Sequence, residues 1–360
     1  MPALDYVQCG IMANKPGTSC STSTKVFMML LFFSLLVTIG LVYITTNKII
    51  YLSFLHSKIR SRLLNIFNGG QPILINDSNL PTLRPDFCVA CFSHNFNYVI
   101  NNDEMCKLYN DSQEIDLVIF IFTTHQHRKE RNAIRQTWLN YTNKNRANIR
   151  YSFLLGDVPD ENLGILVAEE NKLHKDILKE DFADTYQNLT YKTMMAFKYA
   201  IIKCSHAKFV LKTDDDMWIN IPRLLQIIQL ENVTLQTAVG GSCHHAAEPI
   251  RNSASKWYAS FQSYPHATYP GYCSGTGYVT SINVARKVFD ISNNVPFFHL
   301  EDVYVAICIR KLGYKLHPIP GFNAGLPAFD PCLYKGDKLI SSHGVPSDIL
   351  IRVWDTPCIR

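Results

Sequence analysis

Three consecutive aspartates, Asp214, Asp215 and Asp216, follow the apolar run 209–211, with two residues between them. Such a run predicts a buried strand, and open α/β sheets bind their ligands outside the carboxyl ends of their strands. Carboxylate oxygens suit Mg²⁺ or Mn²⁺, which take the rest of their coordination shell from water and substrate phosphates. The triplet therefore predicts a metal–diphosphate site, and the alternative is a solvated acidic turn.

A second acidic pair, Glu301-Asp302, precedes Val303, Ala306 and Ile307, whose spacing predicts an amphipathic helix. A carboxylate at this position could take a proton from an attacking hydroxyl group. Acids are also favoured at helix N-termini by capping and by the helix dipole, which would tend to lower the pKa of such a base. The residues alone leave both interpretations open.

The segment 269–278 combines aromatic residues, including Tyr272, with glycines that include Gly275 and Gly277. Glycine permits close approach of the backbone to a ligand, and aromatic rings suit the apolar face of a sugar. The alternative is a glycine-rich turn packed under the sheet.

Basic residues near the same elements could bind phosphate. Arg131 and Arg135 lie one helical turn apart after the apolar run 117–122, and guanidinium groups suit phosphates. Both could equally be surface or ion-paired residues. Lys192, after the Asn188 sequon, is a weaker candidate.

The elements that must position these residues alternate between strands and helices from residue 115 onward. This alternation predicts an α/β fold, a mainly parallel sheet flanked by helices, in one catalytic domain at 116–360. Asn220 and Pro222 predict the cap and first turn of a helix after the aspartates. We predict strands at 117–122, 149–155 and 208–213, and helices at 128–138, 162–175 and 193–203.

An uncharged run at 26–44 is long enough to cross a bilayer as a helix of about 28 Å. No small-residue cleavage site follows, which favours an uncleaved signal-anchor. We therefore expect a cytoplasmic tail at 1–25, a transmembrane anchor at 26–44 and a lumenal stem at 45–115.

Lysines and arginines after the span would place the body in the cytosol by the positive-inside rule. Sequons and cysteines indicate the lumen instead, because nine of the 11 cysteines follow the span and suit an oxidising compartment. We read Cys88 and Cys91 as cysteines with a structural disulfide role rather than as half a zinc site, and the sequence does not give their connectivity. The predicted N-glycosylation sites are Asn76, Asn110, Asn140, Asn188 and Asn232.

The net charge of +5 comes from scattered rather than clustered basic residues, which gives no support to nucleic acid binding.

Six segments in order resemble the β-1,3-galactosyltransferase family (glycosyltransferase family 31), which includes β-1,3-N-acetylglucosaminyltransferases. They are 131–138, 153–156, 181–193, 212–216, 269–278 and 301–304. The resemblance covers about residues 116–355. It implies a GT-A fold, a UDP-sugar donor, Mn²⁺ (or Mg²⁺) and inversion at the anomeric carbon.

The resemblance also implies roles for the donor side of the site. By the family's D-x-D motif, Asp216 would be a direct metal ligand. Asp214 would lie nearer the ribose and uracil, and it is also a candidate metal ligand. Asp215 would lie between these roles. His343, near the C-terminus, would complete the metal or pyrophosphate shell. Independently of the resemblance, we read the adjacent pair His244 and His245 as non-ligands, because neighbouring side chains in an extended chain point apart.

For the chemical step, the resemblance makes Asp302 the catalytic base and Glu301 an acceptor-binding or supporting partner. It also favours the interpretation that the segment 269–278 contacts the donor sugar or the acceptor.

The sequence thus predicts a single-pass type II Golgi membrane enzyme with a lumenal catalytic domain. It would transfer galactose from UDP-galactose in β-1,3 linkage to a glycan acceptor on glycoprotein or glycolipid. One alternative is transfer of N-acetylglucosamine from UDP-GlcNAc, and another is a catalytically silent lumenal sugar-binding protein. The protein could form a homodimer or a heterodimer.

Overall fold

The computed structural model describes residues 84–110 and 113–359. The predicted tail, the anchor at 26–44, most of the stem and Asn76 lie outside the described residues. No helix within the described part of the chain is long and apolar enough to cross a membrane.

The strands, numbered in chain order, have these bounds. They are β1 (Tyr98–Ile100), β2 (Ile115–Phe122), β3 (Ile149–Asp157), β4 (Ile177–Ala183), β5 (Ala207–Asp214), β6 (Trp218–Ile219), β7 (Ala238–His244), β8 (Tyr272–Ser281), β9 (Lys315–Pro318) and β10 (Ser341–Ser342). One eight-stranded sheet has the order β1-β4-β3-β2-β5-β8-β7-β9, and β6 pairs with β10 in a second, two-stranded sheet.

The α-helices are numbered in the same way. They are α1 (Arg128–Gln136), α2 (Glu161–His174), α3 (Leu189–Lys203), α4 (Ile221–Leu230), α5 (Asn232–Leu235), α6 (Ile282–Ser292), α7 (Glu301–Lys311), α8 (Pro331–Lys335) and α9 (Ser347–Asp355). Short 3₁₀ helices occupy Trp138–Thr142 and Tyr186–Asn188.

The large sheet is parallel from β4 through β3 and β2 to β5, and again between β7 and β9. It is antiparallel at β1–β4, β5–β8 and β7–β8. The α/β class is confirmed, and the antiparallel strand β8 lies beside the end of β5.

The two faces of the sheet carry separate apolar cores. Strand β2 contributes to both cores, because successive side chains of a strand point to opposite faces: Val118 and Phe120 pack into one core, and Ile119 and Ile121 pack into the other. A strand covered on both faces has a continuous apolar sequence, and the apolar run 117–122 predicted this strand for that reason.

Element starts agree with the predictions to within a few residues. Asn220 caps α4 by accepting a hydrogen bond from the backbone N–H of Arg223 at 3.3 Å, and a proline lies in the first turn. The predicted helix at 128–138 ends earlier, at Gln136, and continues as a 3₁₀ helix.

The described part of the predicted stem belongs to the folded body. Strand β1 pairs with β4, and Cys106 forms a disulfide with Cys204 at the end of α3. The compact unit that contains these residues extends from Pro81 to Arg360.

Four disulfides are present within the described residues, and the buried Cys308 is free. They join Cys88 to Cys91, Cys106 to Cys204, Cys243 to Cys273 and Cys332 to Cys358.

Removing the Cys106–Cys204 disulfide with a double alanine variant should lower the free energy of unfolding by about 4 to 5 kcal/mol, because the bond closes a long loop in the unfolded chain. The two cysteines are 98 residues apart. Urea denaturation measures the loss. The matched control is the Cys88–Cys91 pair, only 3 residues apart, whose removal should cost about 2 kcal/mol on the same relation. Equal losses for the two pairs would contradict the prediction.

Candidate active site

The antiparallel pairing of β5 and β8 brings the aspartate triplet beside the glycine-rich segment. Thr213, just before the triplet, lies opposite Gly277. The N-terminus of α7 lies against the same segment, where the backbone N–H of Gly275 donates to Asp302 Oδ2 at 3.0 Å. Three separate parts of the chain therefore meet at one edge of the sheet.

A cavity of about 580 Å³ opens at this edge. Its lining includes acids, histidines, aromatic rings and the glycine-rich backbone. Among these residues are Asp214, Glu301, Asp302, His343, Tyr272, Gly275, Thr276, Tyr186, Lys256, Trp257, Tyr269, His244 and His299.

A buried ammonium group forms the floor of this cavity. The Nζ of Lys212 lies 2.8 Å from Asp214 Oδ1 and 3.1 Å from Glu301 Oε1, and it also donates to the carbonyl of Gly275. Burial alone would lower the pKa of Lys212, but the two carboxylates outweigh it and raise that pKa. The ammonium therefore stays charged and holds β5, β8 and α7 together.

Glu301 is committed to this interior cluster. Its Oε2 accepts hydrogen bonds from Thr193 Oγ1 and from the Tyr278 hydroxyl, both at 2.9 Å. The side chain is 4% exposed. These contacts and its burial give Glu301 a supporting position behind Asp302.

Asp302 is partly exposed and held by two backbone N–H groups. Gly275 donates to Oδ2, and Val303 donates to Oδ1 at 2.8 Å. Burial, followed by the charge of Glu301, raises the pKa of Asp302 to about 6 against the effect of these hydrogen bonds.

Gly275 has a steric role that other residues could not fill. A Cβ at this position would lie 2.7 Å from Glu301 Oε1 and 3.3 Å from Asp302 Oδ2. At Gly277 a Cβ would make only ordinary contacts of 3.7 Å or more. Gly277 is outside the cavity lining, whereas Tyr272 is within it.

Asp216 and His343 form a pair that the small sheet assembles. Ser342 of β10 lies opposite Trp218 of β6, and this places His343 Nε2 at 3.3 Å from Asp216 Oδ2. Burial would raise the pKa of Asp216, but the hydrogen bond and charge of His343 hold it below its usual range. The same contact raises the pKa of His343.

The other two aspartates of the triplet point to different partners. Asp214 lines the cavity, where burial raises its pKa to about 6 despite Lys212. Asp215 is buried, and its Oδ2 accepts from Thr123 Oγ1 at 2.5 Å and lies 2.9 Å from His127 Nδ1. Asp215 therefore ties the triplet to the loop before α1 and is not in the cavity lining.

The residues fit a divalent cation through two protein ligands. Asp216 Oδ1 is buried without a hydrogen-bond partner, and His343 lies beside Oδ2. Among the described residues no three or more histidine, cysteine, aspartate or glutamate side chains are grouped to hold a metal ion. A site of this kind needs substrate phosphate and water to complete its shell, as Mg²⁺ sites commonly do.

The two candidate arginines lie in the interior instead of the cavity. Arg131 is fully buried and pairs with Glu170 through Nε at 2.9 Å and Nη2 at 2.6 Å. Arg135 contacts Glu170 at 2.7 Å and Asp176 at 2.8 Å. Because these guanidinium groups neutralise buried carboxylates, the structure does not bring them to the candidate phosphate site.

Lys192 is likewise an interior residue. Its Nζ lies 2.6 Å from Asp184 and donates to the carbonyl of Thr123 at 2.8 Å. It holds the end of β2 to α3 and does not line the cavity.

The sequons occupy different environments. Asn110, Asn140 and Asn232 are exposed. Asn188 is partly buried and donates to the carbonyl of Ala183 at 2.8 Å, while the hydroxyl of Thr190 is buried.

Sequence reasoning missed three residues at the rim of the cavity, Tyr186, Lys256 and Trp257. The adjacent lysine and tryptophan stand in 245–271, a stretch without helical or strand periodicity, so no pattern placed them near the acids.

Replacing Lys212 with methionine should lower the free energy of unfolding by about 3 to 5 kcal/mol, because Asp214 and Glu301 would remain near each other without a cation. Urea denaturation at pH 7 measures this. Lys208→Met is the matched control on the same strand, since that ammonium is half exposed beside Glu114 and Asp116. Its loss should stay below about 1 kcal/mol. A loss for Lys212→Met no larger than the control would refute the role of the cluster.

The chain is similar to known proteins over most of its length. A family model described as Galactosyltransferase matches residues 129–320. Beta-1,3-galactosyltransferase 1 of Homo sapiens is 37% identical over 304 residues, which cover 82% of this chain and 89% of that protein. Lactosylceramide 1,3-N-acetyl-beta-D-glucosaminyltransferase B of Xenopus laevis is 32% identical over 301 residues, 80% of this chain and 74% of that one.

Among solved structures, the galactosyltransferase LgtC in complex with donor and acceptor sugar analogs is similar with a TM-score of 0.35 and 11% identity. The match covers 67% of this chain and 97% of that chain. On the family model and the extent of identity with its relatives, this chain belongs to the galactosyltransferase family and is a glycosyltransferase.

Proposed function

We propose that the protein transfers galactose from UDP-galactose, in β-1,3 linkage and with inversion, to a glycan acceptor on glycoprotein or glycolipid. The observation that carries the proposal is a single cavity lined by Asp302, suited to act as a base, and by His343, which pairs with Asp216. The printed name of the human relative supports galactose as the transferred sugar.

Asp302 is the proposed base. An acceptor hydroxyl gives its proton to the Asp302 carboxylate while its oxygen forms the new bond to the anomeric carbon. The bond from that carbon to the diphosphate breaks, and its electron pair leaves with UDP. Burial prepares Asp302 for this step, because a carboxylate with a pKa of about 6 is a stronger base than an ordinary aspartate and is still ionised at neutral pH.

Asp216 and His343 are the residues that would hold Mn²⁺ or Mg²⁺, with Asp214 near the nucleotide. A divalent cation there would neutralise the charge that grows on the diphosphate as the bond opens. Lys212, at the floor of the cavity, holds Asp214 in place.

Transfer of N-acetylglucosamine is the second candidate, and the Xenopus laevis relative supports it by name.

A type II Golgi enzyme with a lumenal body remains our proposal for location. Four disulfides among the described residues and three exposed sequon asparagines support an oxidising, glycosylating compartment.

A donor screen with the purified folded body tests the function. We expect turnover of UDP-galactose above UDP-GlcNAc with Mn²⁺ present, and loss of transfer with EDTA, since the cation that Asp216 and His343 would hold neutralises the charge on the leaving diphosphate. Released UDP and glycosylated product are measured together. Faster transfer from UDP-GlcNAc would establish the second candidate, and transfer that survives EDTA would overturn the metal role of Asp216 and His343.

Asp302→Asn should lower kcat by at least about 100-fold, because the amide cannot accept the proton. In the unchanged enzyme, kcat/KM for the acceptor should fall as pH drops through about 6, since protonated Asp302 cannot act as a base. Initial rates from pH 5 to 8 measure both effects.

The matched control is Asp348→Asn, which removes an exposed acid from the first turn of another helix, α9. It should leave the rate and the pH profile unchanged. Near-normal transfer by Asp302→Asn would show that the base is elsewhere.

A further inference from the structure

Two exposed aromatic rings at the rim of the cavity come from distant parts of the chain. Trp257 is 48% exposed and Tyr186 is 39% exposed, and both line the cavity. Trp257 belongs to the loop 245–271, whereas Tyr186 begins the 3₁₀ helix before α3. Large aromatic rings left partly in water beside a cavity are suited to the apolar face of a ligand.

Lys256 links the two rings. Its ammonium group lies 4.7 Å from the centroid of the Trp257 ring and 5.7 Å from that of Tyr186. Among the described residues Lys256 forms no ion pair, so its contacts with the protein are these cation–π interactions. The lysine thus supports the indole and leaves other parts of the ring exposed.

The aromatic side of the cavity is the side of Asp302. After burial, the charge of Asp302 is the largest contribution that raises the pKa of Tyr186, to about 12, and it also raises the pKa of Tyr272. Tyr186, Trp257 and Tyr272 line the cavity together with Asp302, whereas His343 is held by its pairing with Asp216.

This arrangement indicates which of the two substrates would contact the rings of Tyr186 and Trp257. A donor diphosphate requires the cation site at Asp216 and His343, and within the described residues no hydrogen bond or ion pair joins that site to Lys256 or Trp257. The acceptor hydroxyl must instead reach Asp302.

We propose that Trp257, supported by Lys256 and Tyr186, is the platform on which one pyranose ring of the acceptor stacks. Stacking there holds the acceptor hydroxyl toward Asp302. The inference rests on the proposed transfer reaction and extends it to the acceptor, which is a glycoside recognised through a single terminal sugar ring.

The experiment compares Trp257→Ala and Trp257→Phe with the unchanged enzyme. The probes are methyl β-glycosides of galactose, N-acetylgalactosamine and N-acetylglucosamine, with the donor that the screen identifies. We expect Trp257→Ala to raise the acceptor KM about tenfold or more, and Trp257→Phe to raise it less, since phenyl retains part of the stacking face. Donor KM and the slow hydrolysis of donor by water should stay within about twofold.

The matched control is Phe261→Ala. Phe261 lies in the same loop and is 65% exposed, but it contacts Arg251 and does not line the cavity. This variant should keep the acceptor KM of the unchanged enzyme. Thermal denaturation of each variant separates a folding defect from a binding defect, and Trp257→Phe provides the test if the alanine variant does not fold.

The outcomes separate this inference from the function on which it depends. An unchanged enzyme that consumes no UDP-sugar refutes the proposed function itself. An enzyme that hydrolyses donor but glycosylates none of the three probes, or whose acceptor KM changes less than twofold in Trp257→Ala, refutes the platform alone. A rise in donor KM with unchanged acceptor KM would assign Trp257 to the donor and also refute it.

Discussion

The site depends on one buried ion cluster, the Lys212 ammonium between the carboxylates of Asp214 and Glu301. Charges taken out of water are costly, and they persist only where good geometry and further hydrogen bonds compensate. Thr193 and Tyr278 supply those hydrogen bonds to Glu301. Because the cluster spans β5, β8 and α7, it fixes the distance between the aspartate triplet and Asp302.

The antiparallel strand β8 makes this cluster possible. It brings Gly275 against the N-terminus of α7, where the missing side chain leaves room for Glu301 and Asp302. The same close approach lets the backbone N–H of Gly275 hold the Asp302 carboxylate. A frame of backbone and buried charge thus positions a partly exposed base, and the partly exposed rings at the rim stand next to it.

Residue type alone did not decide which charged residues face the cavity. Arg131 and Arg135 have the chemistry of phosphate ligands, yet each neutralises a buried carboxylate on a neighbouring element. Asp215 shares the local sequence of Asp214 and Asp216 but turns to His127. Local patterns report the charge of a side chain, whereas its partner is set by packing between elements far apart in sequence.

The sequence by itself determined the α/β class, the strand that ends at Asp214 and the helix that begins at Glu301, because apolar periodicity and capping act over a few residues. Its motifs also determined the family. The family resemblance already suggested His343 for the metal or pyrophosphate shell, but only the tertiary structure gave its direct contact with Asp216, since this contact depends on the pairing of β6 with β10 across more than a hundred residues. It likewise placed Tyr186 beside Lys256 and Trp257, because long-range packing leaves no trace in local periodicity.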